Sequence, residues 1–177
     1  RKVEEAIEFG ATEICIQGGL IDGFGVEDYC RIIEVIKSVG KIHVHGFSPM
    51  EVIHMSRNSK MHYEDALREL KRSGLDSMPG TAAEILVDEV RRIICPSKLS
   101  SSEWCEVIRT AHAIGIPTTA TMMYGHIETI GERIKHMLRI REIQIETHGF
   151  TEFVLLPFLG ENNELGKLCR PISIVEH

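Results

Sequence analysis

Five short stretches hold most of the residues with chemistry to offer: Gln17-Gly18-Gly19, His45-Gly46-Phe47-Ser48, residues 77–84, residues 124–128 and Pro157-Phe158. The glycine pair has no Cβ to hold a ligand off, so backbone N–H groups can approach it closely. Within 77–84, Pro79-Gly80 marks a tight turn, and Thr81 with Glu84 three positions later fits a capping box opening a helix. A helix that starts at a strand's carboxyl end suits a carboxylate or phosphate, through its unpaired N–H groups and dipole. The same residues also make an ordinary βα turn with no ligand.

His43 and His45 lie two apart on a strand and face one side. They read as half of a metal site or as two hydrogen-bonded histidines. The second reading is preferred, because no third strand-end His or Asp clearly completes a zinc set; His126 and Glu128 are the nearest candidates. Glu128 has a further reading, as a partner for a ribose hydroxyl or a ligand amine. Thr119 and Thr121 share a face and would line an interior.

The elements that must position these residues alternate. Strands begin near Thr12, Ile42, Leu75, Pro117 and Phe150, about 30 to 40 residues apart, a repeat matching (β/α) barrel units. Helical spacing of apolar residues covers 1–9, 26–39, a stretch from Met50, 63–73, a segment from Thr81, 87–94 and 130–147; another helix, 100–114, opens on a Ser100/Glu103 capping box. The fold class is α/β: a partial (β/α) TIM-type barrel of about five units over residues 1–159, with a divergent tail at 160–177. Five units are too few to close a barrel, so an N-terminal unit is expected upstream. Parallel strands in sequence order put their carboxyl ends on one face, where Gly19, His45, Glu84 and Glu128 are expected to converge on a common cleft.

Composition narrows the function classes. The 177 residues are 43% hydrophobic and 26% charged, ordinary for a globular domain. A net charge of −6 with scattered Lys and Arg disfavours nucleic acid as a partner. The apolar runs fall well short of the roughly 20 residues of a membrane span, and no secretory core is present. Cys15, Cys30, Cys95, Cys105 and Cys169 are odd in number and contain no Cys-x-x-Cys pair, against a zinc ribbon or disulfide framework; a cytoplasmic setting is expected. His54, His62, His112, His136 and His148 fall on helices or their ends, where solvated or capping roles are expected.

The longer motifs carry a resemblance. Cys-Ile-Gln-Gly-Gly-Leu from Cys15, Ile-His-Val-His-Gly-Phe-Ser-Pro from Ile42, Gly-Leu-Asp-Ser-Met-Pro-Gly-Thr-Ala-Ala-Glu-Ile-Leu from Gly74, Thr-Thr-Ala-Thr-Met-Met-Tyr-Gly-His-Ile-Glu-Thr from Thr118 and Gly-Phe-Thr-Glu-Phe-Val from Gly149 resemble the radical S-adenosylmethionine (SAM) enzymes of deazaflavin and menaquinone synthesis. Thr81-Ala82-Ala83 tilts the resemblance toward the FO synthase branch. It implies SAM and a [4Fe-4S] cluster as cofactors. The implied reaction transfers the 4-hydroxybenzyl group of L-tyrosine to 5-amino-6-(D-ribitylamino)uracil, with a partner FO synthase subunit to take the product. By position along the barrel, it places Gly18, Gly19, Ser77, Glu84, Tyr124, Gly125 and Glu128 around SAM. His45, Ser48, Thr119 and Thr121 are placed toward substrate.

The resemblance also puts the cluster's Cys-x3-Cys-x2-Cys loop upstream of residue 1, so the chain alone is expected to be inactive. Ile21 departs from the family where His is expected, Gly46 where Ala is commoner, and Leu155 where Pro is usual; the pattern fades after Gly160. Two other readings stand beside it: a metal-dependent barrel hydrolase using His43, His45 and His126, and a barrel remnant that binds without catalysing.

Overall fold

The computed structural model describes residues 1–169, so residues 170–177 of the expected tail lie outside the described residues. The chain runs α1 (Lys2–Glu8), β1 (Glu13–Ile16), α2 (Val26–Val39), β2 (His43–Gly46), α3 (Pro49–Asn58), α4 (Tyr63–Arg72), α5 (Asp88–Ile94), α6 (Ser101–Ile114), β3 (Thr118–Tyr124), α7 (Ile130–Thr147) and β4 (Phe150–Pro157), with a 3-10 turn at Leu165–Lys167. Helix starts are strongly specified. Ser48, Ser100 and Thr129 each accept from the backbone N–H three residues on, while Glu51, Glu103 and Glu132 reach back, so α3, α6 and α7 all begin with reciprocal caps. Gly115 ends α6 in the left-handed conformation that favours glycine.

β1 pairs parallel with β2, in register from Glu13 opposite His43 to Ile16 opposite Gly46, and β3 pairs parallel with β4. Two single bridges connect the pairs: His45 with Ser77, and Met78 with Thr118. The result is five parallel segments in sequence order, an unclosed piece of a (β/α) barrel. The strand expected near Leu75 is thus reduced to Ser77 and Met78. Along β2, Val44 and Gly46 are buried while His43 and His45 are more open, so the histidines face away from the helices, onto the concave side. Ile33, Val44, Phe47, Met55, Leu67, Leu70 and Met78 fill the layer between sheet and helices.

The helix expected from Thr81 does not form. Residues 79–87 are irregular, and Ala82 (φ 62°) and Glu84 (φ 45°) sit in the left-handed region, which no right-handed helix can contain. Tertiary partners override the capping signal. Arg91, 3% exposed, draws the carbonyls of Ala82, Ala83 and Ile85 toward α5, and the buried Trp104 indole donates to the Thr81 carbonyl at 3.1 Å. Those carbonyls are therefore committed before a helical ladder could use them.

Two histidines expected in solvated or capping roles are interior. His136 is fully buried, its Nδ1 accepting the Leu86 N–H at 2.9 Å, and burial drives its pKa down to about 4. The His112 ring lies between Thr147 and Thr118, and burial lowers it to about 4 as well. Gly149 passes so close that a Cβ there would fall 2.2 Å from that ring.

Candidate functional site

A cleft of about 460 Å³ opens at the carboxyl ends of the strands. Gln17, Gly19 and Leu20 follow β1, Ser48, Met50 and Glu51 follow β2, and Thr81, Ala82 and Glu84 follow the bridge segment; Thr121, Leu156 and the loop residues Ser97 and Lys98 complete the lining. Of the sequence-expected site residues, Gly19, Ser48, Glu84 and Thr121 line it. His45 and Glu128, expected to converge with Gly19 and Glu84, are not among its lining residues.

The first wall is organised by Glu51. Its carboxylate, 4% exposed, accepts from the Gly18 N–H at 2.9 Å, the Gly19 N–H at 3.2 Å, and the Ser48 N–H and hydroxyl at 2.7 Å each. The glycine N–H groups, read from sequence as free to meet a ligand, are thus already taken. What Gly18 and Gly19 can still offer a ligand from the backbone is carbonyl oxygen, and the Gly19 carbonyl is steadied by the Tyr29 hydroxyl at 3.3 Å. Glu51 was absent from the sequence-derived site. The Ser48-Pro49-Met50-Glu51 spacing is a capping-box signal that would have found it.

The second wall is the left-handed loop. Arg91 also takes the Leu99 carbonyl through Nε at 3.0 Å, which ties the loop after α5 to the loop before it. Glu84 is paired with Lys98, and its carbonyl accepts the Met123 N–H at 2.7 Å. Non-glycine residues in the left-handed region cost roughly 1–3 kcal/mol each and persist where surroundings impose them. No local sequence pattern announces Arg91 or Lys98, because their partners are backbone carbonyls and a carboxylate brought in by the fold.

Thr119 and Thr121 do share a face, and both clasp one residue. Gly80 N–H donates to Thr119 Oγ1, and Thr121 Oγ1 donates to the Gly80 carbonyl, both at 2.9 Å. A Cβ on Gly80 would stand 2.0 Å from the Thr119 carbonyl oxygen, so glycine is required by close approach.

Glu128 is enclosed, with a side chain at 0% exposure. Its carboxylate accepts from Gly125 N–H at 2.6 Å and His126 N–H at 2.9 Å and pairs with Arg133 at 2.7 Å. Burial pushes its pKa up, but bonding to His126, Gly125 and Arg133 outweighs that and holds it near 2. Arg133 also lies over the Tyr124 ring, 5.3 Å from its centre. The β3–α7 corner holding Tyr124, Gly125 and Glu128 is therefore a self-satisfied, ion-paired knot. On β2, His43 Nε2 and His45 Nδ1 each lie 2.7 Å from Ser77 Oγ, which brings His45 and Ser77 together on the concave face.

The hydrolase reading requires His43, His45 and His126 in one metal site. Instead His126 faces Glu128 and the Met123 carbonyl, and among the described residues no group of three or more His, Cys, Asp or Glu side chains is arranged to hold a metal ion. The same test applies to a [4Fe-4S] cluster, whose thiolate ligands must stand close together. Cys15 lies on β1, Cys30 on α2, Cys105 on α6, Cys95 at the end of α5 and Cys169 beyond the 3-10 turn, so the described residues do not fit one.

Comparison with known proteins gives this geometry a lineage. The chain is 58% identical over 174 residues to the Archaeoglobus fulgidus protein named 5-amino-6-(D-ribitylamino)uracil--L-tyrosine 4-hydroxyphenyl transferase, covering 98% of this chain and 51% of that one. It is 62% identical over 167 residues to 5-amino-6-(D-ribitylamino)uracil--L-tyrosine 4-hydroxyphenyl transferase 1 of Methanosarcina mazei, covering 94% and 44%. The chain thus spans about half the length of the curated relatives it matches. Among solved structures it superposes on methylornithine synthase with a TM-score of 0.66 at 12% identity, over 89% of this chain and 43% of that one, a likeness of fold. The profile of the radical SAM superfamily matches residues 1–161, and with the open parallel barrel and strand-end cleft already described, the chain belongs to the radical SAM superfamily.

Proposed function

We propose that this chain forms the ligand-holding part of a radical SAM transferase that joins the 4-hydroxybenzyl group of L-tyrosine to 5-amino-6-(D-ribitylamino)uracil, with the product passing to a partner FO synthase subunit. The observation that carries this reading is the 58–62% identity to relatives bearing that name, over aligned lengths of 174 and 167 residues. SAM bears an ammonium and a carboxylate at one end. The cleft offers the Gly19 carbonyl beside Glu51 for the first, and Lys98 beside Glu84 for the second. These groups would hold SAM, which supplies the radical chemistry of the superfamily when bound; Ser48 and Thr121 are placed to orient substrate against it.

The Glu51 and Arg91 frameworks keep the backbone of both walls fixed, so little ordering is left to be done when a ligand binds. His45 and Ser77 lie together on the concave face, outside the lining of the cleft. Cluster ligands come from a three-cysteine loop of the kind the resemblance implies, outside residues 1–169.

The test is anaerobic reconstitution with iron and sulfide, carried out on this chain and on the same chain extended by a three-cysteine loop. Both then receive SAM, L-tyrosine and the diaminouracil. Cluster absorbance, 5′-deoxyadenosine and the coupled product are expected from the extended chain alone. Product from the unextended chain, or SAM cleavage by the extended chain that ignores both substrates, would overturn the reading.

A further inference from the structure

Ser77 stands between two imidazoles. Its Oγ lies 2.7 Å from His43 Nε2 and 2.7 Å from His45 Nδ1, and its residue is 6% exposed. A hydroxyl has one proton, so it can donate to only one ring, and the other ring must donate to it. If both rings donated, the hydroxyl proton would need a third acceptor, and none is recorded among the described residues. The two hydrogen bonds therefore run in the same direction along the row.

The ends of the row differ. The His43 side chain is 41% exposed, with the Glu13 carboxylate 3.6 Å from Nε2, which favours a proton on that nitrogen. His45 is more enclosed, and with Nδ1 engaged its Nε2 is the nitrogen left for a ligand on the concave face. The groups acting on His45 are Glu13 from β1, His43 from β2 and Glu152 from β4, with burial as the largest influence; burial lowers its pKa, keeping the ring neutral.

We propose that His43, Ser77 and His45 form a proton relay, in which His45 Nε2 exchanges a proton with a substrate on the concave face and His43 exchanges one with solvent. At rest, His43 Nε2–H donates to Ser77, Ser77 O–H donates to His45 Nδ1, and His45 Nε2–H is the acid. When that proton passes to the substrate, the Ser77 proton moves to His45 Nδ1, the His43 Nε2 proton moves to Ser77, and His43 Nδ1 takes one from water. Both rings end neutral, with every hydrogen bond reversed. The reverse sequence removes a proton from the substrate. No electrons change hands, and the buried ring carries no net charge in either end state. An amine, hydroxyl or ring N–H of an aminopyrimidine or phenol is the class of group served. That identity rests on the function proposed above, whereas the relay itself does not.

The experiment reads imidazole tautomers by long-range ¹H–¹⁵N spectra of the ligand-free chain near neutral pH. Wild type is expected to show both rings protonated on Nε2. Ser77→Ala should release His45 to a mixture of tautomers, with at least a several-fold fall in the Nε2–H to Nδ1–H ratio. His43→Leu, at an exposed position, should do the same, and His43→Gln, whose amide still donates to Ser77, should preserve the wild-type state. Opposite tautomers on the two rings, or a His45 ratio that ignores Ser77→Ala and His43→Leu, would overturn the relay. In the extended, reconstituted chain, Ser77→Ala should also shift the pH profile of coupling. Loss of all turnover in the unsubstituted extended chain counts against the proposed function, and the tautomer result still decides the relay.

Discussion

The two walls of the cleft are built by opposite means. At Gly18-Gly19 an anion, Glu51, gathers N–H groups; at 82–85 a cation, Arg91, gathers carbonyls. Each buried charge satisfies one half of the local backbone's hydrogen-bonding capacity. The first wall therefore offers the Gly19 carbonyl oxygen and the second offers Lys98 beside Glu84. A single cleft acquires polarity along its length with few side chains touching the ligand directly.

The comparison breaks most severely at Arg91. Arg91→Ala leaves several buried carbonyls without a donor, and a loss on the order of 3–5 kcal/mol is expected in urea unfolding, with Arg91→Lys intermediate. Glu51→Gln keeps the shape but replaces one acceptor oxygen by an N–H donor facing other donors. A cost of about 1–3 kcal/mol is expected, together with a larger relative loss of SAM affinity by calorimetry than of stability.

Acid should separate the walls. His136 accepts the Leu86 N–H only while neutral, and its pKa is depressed to about 4 from an ordinary 6.5. Its contribution is full above about pH 6.5 and is lost as pH falls toward 4, up to a few kcal/mol. The protection factor of the Leu86 amide, its exchange rate corrected for the intrinsic pH dependence, should fall over that window more than that of Gly18 does. Lys98→Met should be the mildest change, below about 1 kcal/mol in stability because the pair is partly solvated, and visible chiefly as weaker binding of a carboxylate-bearing ligand.

The repeat of strand and helix was legible because burial imposes its period locally. Val26–Val39 and Ile130–Thr147 read to the residue from apolar spacing and glycine or cap signals. Residues 79–87 were not, since Thr81 and Glu84 satisfy a local helix-start rule that Arg91 and Trp104 override from a distance. The site divides in the same way. Gly19, Ser48 and Glu84 could be read as strand-end residues and Thr121 as an inward-facing one, yet Glu128 is fully engaged at its own corner. Lys98 reaches Glu84 across fourteen positions of chain, a relation that no spacing rule encodes.

The shortness of the central bridge segment has a mechanical consequence. β1–β2 and β3–β4 are each laced along several residues, whereas among the described residues the pairs are joined by the single bridges of Ser77 and Met78 and by the Gly80 clasp of Thr119 and Thr121. Glu51 stands on one side of that seam and Thr121 on the other, so the cleft straddles the shortest pairing in the sheet. The serine in that piece is also the one that spaces the two histidines. A substitution that displaces Ser77 is therefore expected to disturb the seam and both histidine contacts together.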